Sequence, residues 1–185
     1  VLTSTGAGSP PAFEAVAAGG VWTLIGTQTA SSDTSLTQTG LDTSLYTKHL
    51  IILSGFTHSA TSFLEFLWGP SGGVETSGYS TDIRSYAQNS DTGIDGTASH
   101  DNGVQTHMAL DQSSTGTSDY HDVEIGLYHK SGGASHCFGC WMRGNNRGIF
   151  GGTCDATGAT TQIRVEVSTG NIVAGRMTVW GLGHA

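Results

Sequence analysis

Hydrophobic and polar residues alternate along much of this chain with a period of two, the mark of strands that bury one face and wet the other. Val104, Thr106, Met108 and Leu110 fall on one side of such a run. From Tyr120 to His129, Tyr120, Asp122 and Glu124 oppose His121, Val123, Ile125 and Leu127, and the alternation slips near Gly126, which predicts a bulge there. Shorter strand-like runs lie at 21–28, 35–39, 62–68, 140–143, 148–150, 162–167 and 172–182. The run from Lys48 to Phe56 is almost continuously apolar and predicts a central strand covered on both faces. Between the last two runs, Ser168-Thr169-Gly170-Asn171 has the composition of a hairpin turn. Nothing carries a helical period. Some nine or ten strands cannot stay in one flat open sheet, so the pattern predicts an all-β, jelly-roll-like antiparallel β-sandwich.

Two stretches break the pattern. Residues 2–13 are small and polar, stiffened by Pro10-Pro11, and 15–20 are mostly Ala and Gly. This predicts a flexible N-terminal arm over 1–20 and a single β-sandwich domain over 21–185. Residues 71–103 are rich in Gly, Ser, Asp, Asn and Thr and predict a long surface excursion, where binding residues tend to sit.

Composition sharpens this picture. Gly, Ser and Thr together supply 74 of the 185 residues, whereas charged residues supply only 12%, roughly half the usual share. The formal charge of −8 and the seven Lys plus Arg argue against nucleic acid and anionic membranes as partners, since both need clustered cations. The longest fully apolar run, Leu50 to Leu53, falls far short of the roughly 18 residues of a membrane helix, so no membrane insertion is expected. The start, Val1-Leu2-Thr3-Ser4, has no basic or apolar leader and reads as a processed product or a piece of something longer. A hydroxyl-rich, weakly charged surface points outside the cell or into a particle.

Candidate chemistry is sparse. His136, Cys137, Cys140 and Cys154 have ligand types suited to zinc, but a second cysteine knuckle is missing. The simpler reading is a disulfide, Cys137 or Cys140 with Cys154, or free thiols, with no metal and no cofactor. Of eight histidines, His107, His121 and His129 lie on or beside predicted strands and would form an imidazole cluster if those strands were neighbours. Asp91, Asp95 and Asp101 share one loop with Asn89 and Asn102 but lack the EF-hand pattern. Nucleophile-elbow and phosphate-loop motifs are absent, which predicts no catalytic residues and no enzyme. Tyr79, Asp82, Arg84, Tyr86 and Asn89 are the candidate receptor- or glycan-binding residues of the excursion; the alternative is that Tyr79 and Tyr86 pin it to the sandwich.

Two segments carry a resemblance. Leu2 to Phe13 is similar to the junction that precedes a C-terminal β-domain in bacteriophage tail-fibre and other virion proteins. Ser168 to Leu182 resembles the Ser-Gly-Asn…Tyr-Gly-Leu ending of the same domains, with Trp180 where Tyr is more common. Trp22 to Gly26 and Tyr46 to Ile52 are similar to their opening; residues 71–160 have no counterpart. The resemblance implies a virion location and a non-enzymatic homotrimeric appendage. It further implies host-surface attachment through a glycan or protein, with residues 1–20 joining other virion proteins. A capsid decoration or head-fibre subunit, or an extracellular lectin-like domain, is the alternative.

Overall fold

The computed structural model describes residues 2–3, 12–13, 20–87, 95–110, 120–129, 135–144, 146–155 and 158–183. Within these residues there are fourteen strands and no helix. The first two, β1 (Leu2–Thr3) and β2 (Ala12–Phe13), pair only with each other. A large antiparallel sheet contains β3 (Trp22–Thr29), β5 (Tyr46–His58), β7 (Tyr79–Ala87), β8 (Asp95–Gln105), β10 (His121–Tyr128), β11 (Ser135–Arg143), β12 (Asn146–Cys154) and β14 (Ile172–Gly183). Their spatial order is β3-β14-β5-β10-β11-β12-β7-β8. A small sheet orders β4 (Ser35–Thr39), β13 (Gln162–Val167), β6 (Leu64–Gly69) and β9 (Met108–Ala109) as β4-β13-β6-β9. The two sheets pack against each other as a β-sandwich.

Alternation explains the core. Ile51 and Leu53 of β5, Val123, Ile125 and Leu127 of β10, Trp141 of β11, Phe150 of β12, and Met177 and Val179 of β14 turn inward from the large sheet. They meet Phe66, Trp68, Met108, Ile163 and Val165 of the small one. Each such side chain contributes about 1.5–3 kcal/mol by leaving water. On β5 a glycine keeps this pattern going. Gly55 has φ +64, a left-handed conformation that opens a bulge, so that Phe56 and His58 join Ile51 and Leu53 on the buried side. The register of β10 against β5 shifts at the same level, between His121 and Val123, and the Gly55 amide donates to Asp122 Oδ1 at 2.7 Å.

Several sequence expectations change. The bulge lies here and not at Gly126, which keeps regular register between Leu50 and Phe138. The doubly covered strand is β6, buried at every residue, whereas Leu50 and Ile52 of β5 are half-exposed. The 71–103 stretch is no open excursion: β7 and β8 pair antiparallel and extend the large sheet to its edge. Residues 168–171 are not a hairpin turn either, since β13 and β14 belong to different sheets. Gly170, with φ +82, turns a corner of the sandwich instead. Thr106 and His107 interrupt the run around Val104–Leu110, ending β8 before β9 begins.

Candidate interaction surface

The five candidate binding residues part company. Tyr79 is 1% exposed. Its hydroxyl accepts from the Trp68 amide at 2.9 Å and lies 2.9 Å from the Trp68 carbonyl and 3.2 Å from that of Glu75, two oxygens able to take its single proton. Its ring stands edge-on to Trp68 at 4.8 Å. Burial pushes this phenol well above its usual range. Tyr79 therefore pins β7 to β6 and offers no surface to a ligand. Asp82 is exposed on the outer face of β7. Arg84 and Tyr86 hold register positions opposite Ile149 and Arg147, with side chains outside the described set, and Asn89 lies outside the described residues.

Asp82 belongs to a larger surface. The outward residues of the large sheet line up in rows across the strands. One row runs Leu24, Trp180, Leu50, Gly126, Phe138, Gly151, Asp82. The next runs Thr178, Ile52, Glu124, Cys140, Ile149. Phe138 and Met142 are each 59% exposed, Leu24 51% and Ile149 41%. At the β3 side Lys48 Nζ sits 4.7 Å over the Tyr128 ring and 5.8 Å over the Trp22 ring, a cation held between two partly exposed aromatics. Its stem and Tyr128 close over Gly126, where a Cβ would meet Lys48 Cε at 3.0 Å. Charges of both signs meet on this face: Lys48, Arg147 and Arg176 accompany Asp82, Asp122 and Glu124.

Sequence reasoning missed this surface. Its signal is a strand with apolar residues at both parities: Cys137 and Trp141 point inward from β11 while Phe138 and Met142 point out.

The same alternation disperses the cysteine cluster. Cys137 and Cys154 are buried, and Cys140 is exposed on the opposite face together with His136. The three cysteines form no disulfide with one another. The Cys137 thiol donates to Met108 Sδ at 2.9 Å, and burial pushes its pKa up. The Cys140 thiol is also raised, by partial burial and then by the nearby Glu124 charge. A bond from Cys140 to either of the others would have to pass through the sheet. Among the described residues, no group of three or more His, Cys, Asp and Glu side chains is placed to hold a metal ion.

Histidines come together in pairs instead. His49 Nδ1 lies 2.6 Å from His129 Nε2, and His58 Nε2 lies 3.2 Å from His121 Nε2. One pair sits at each end of the β5–β10 ladder. His107 stands apart, with Nε2 3.6 Å from Glu65 Oε1 and Nδ1 3.1 Å from the Thr106 hydroxyl. Glu65 is paired in register with Glu166, which meets Arg164 at 3.5 Å. Burial raises the Glu65 carboxyl, His107 opposes the rise and Glu166 adds to it. This charged group lies on the outer face of the small sheet, remote from the rows above.

Compared with models of protein families and with curated proteins, the chain matches none. The surface must be read from its own chemistry. Exposed Phe, Met, Leu and Ile side chains on one sheet face, with aromatics at its edge, are the kind of side chains that contact surfaces between macromolecules use.

Proposed function

We propose that this chain is a non-enzymatic β-sandwich module of a phage virion appendage, of the tail-fibre type, which assembles as a homotrimer and serves host-surface attachment. The observation that carries the reading is the outer face of the large sheet. Six of its exposed apolar side chains, Trp22, Leu24, Tyr128, Phe138, Met142 and Ile149, present on the order of 600 Å² to solvent, near the ~800 Å² per partner of a standard interface. Neighbouring copies with a charge of −8 repel each other, and a face that mixes cations with its anions is where that repulsion is reduced. The resemblance at Leu2–Phe13 and Ser168–Leu182 supports the virion assignment.

A lectin-like reading is favoured by one specific feature, the Trp22 and Tyr128 rings flanking Lys48, because sugars stack on exposed aromatic faces. Two measurements separate these readings. Light scattering is expected to give three times the 19.1 kDa chain mass, and Phe138→Ser with Ile149→Thr to return it to one chain. The trimer is expected to bind host cells. A monomer that binds a glycan array through Trp22 and Tyr128 would replace the appendage reading with the lectin one.

A further inference from the structure

Independently of that reading, one contact inside the sandwich has the construction of a switch. His49 is fully buried on the inner side of β5, and His129, half-buried, follows the end of β10. Their facing nitrogens, Nδ1 and Nε2, are 2.6 Å apart, which requires one proton between them and forbids two. The outward nitrogens, His49 Nε2 and His129 Nδ1, are buried and have no hydrogen-bond partner among the described residues. A first added proton must land on one of these, in a site that gives it no acceptor. A second puts an N–H on both sides of the 2.6 Å contact. The surroundings offer little relief. Across the ladders stand Gly181 of β14 and Leu127 of β10, and the Tyr46 ring lies 5.5 Å from His49. Leu36, Phe66, Trp68, Ile163 and Val165, on the inward face of the small sheet, are apolar, and the polar Gln38 beside them carries no charge. The charged group acting on His49 is Asp42, in the loop before β5, whose carboxylate is already engaged by the Ser44 hydroxyl and amide.

We propose that the His49–His129 contact is an acid-released latch, closed while both rings are neutral and opened when they charge. On this proposal the start of β5 and the end of β10 part before the rest of the ladder does. Electrostatics agrees with the geometry. Burial, and then His129, pushes His49 from 6.5 to about 3, and burial pushes His129 to about 4. The closed state thus holds fewer protons than the open one between about 4 and 6.5. The latch is at full strength above 6.5 and weakens as pH falls through that window. Each histidine shifts the opening equilibrium by up to about tenfold per pH unit.

The second pair is held differently. His58 Nδ1 is 2.5 Å from the Ala60 carbonyl, which fixes its tautomer as an Nδ1–H donor, and His121 stands beside buried Arg143 in register. Native-state hydrogen exchange between pH 7 and 4.5, corrected for intrinsic rates, reads the His49 end and the middle of the ladder separately. The expected result is a loss of protection at residues 48–50 and 126–128, about tenfold or more per unit below 6.5, while residues 52–54 and 123–125 keep theirs. His129→Gln, which cannot charge, is expected to cut the slope to the share of His49 alone, about half of it on a logarithmic scale. If the variant fails to fold, NMR titration of the wild-type imidazoles decides: both rings are expected to stay neutral to below pH 5 in the closed state. Uniform loss of protection along the ladder, an unchanged profile in His129→Gln, or rings that titrate near 6.5 with the strands intact would each overturn the latch.

Discussion

The two faces of the large sheet are made by the same strands and follow opposite rules. On the inner face, close approach decides everything. Phe150 lies over Gly139, and a Cβ on that glycine would collide with the Phe150 ring and the Glu124 carbonyl. On the outer face, Phe138 and Met142 of the same strand point the other way and are each 59% exposed. Inner residues are thus fixed by volume, and outer residues by whatever the face meets. Substitutions on one side should change folding without association, and on the other association without folding.

The largest effect is expected from the inner face. Phe150→Ala removes a fully packed ring and should cost about 3–5 kcal/mol in denaturant unfolding, with association altered only through lost folded protein. Gly139→Ala should cost about 1–3 kcal/mol, because the obstructing Glu124 oxygen is backbone and cannot swing aside. Tyr79→Phe keeps the ring but strips its bonds to the Trp68 backbone, for about 1–3 kcal/mol. On the outer face, Phe138→Ser should move stability by no more than about 0.5 kcal/mol yet reduce association measured by light scattering. A large loss of stability in Phe138→Ser, or normal assembly with normal stability, would erase the distinction between the faces.

Much of this organisation was legible in the residues, and the limits follow a physical line. Alternation is local, so the strands around Val21, Lys48, Tyr120 and Gln162 were visible as runs. Sheet membership is not local. Nothing within Ser168–Asn171 says whether β13 pairs with β14 or crosses to the other layer. The polar composition of 71–103 concealed a hairpin because Ser, Thr and Asp suit an outward strand face as well as a loop. The histidine pairs were half-visible: His121 and His129 bracket one alternating run, but His49 and His58 share their side only because Gly55 shifts the parity between them. For Tyr79 the sequence offered both a binding aromatic and an anchor, and the structure makes it the anchor; a tyrosine in a polar stretch gives no sign of which side it turns to.

The strand order of the small sheet has a consequence in time. None of its neighbours, β4 with β13, β13 with β6, or β6 with β9, are consecutive in the chain. Each of those ladders must wait for segments tens of residues apart to meet, and that search precedes any reward from pairing. By contrast, β10, β11 and β12 follow one another and pair as they come. The expected folding trace is therefore slow, in the range of milliseconds to seconds or longer. The β10–β12 meander should gain protection first, and the four strands that cover it should close late and together.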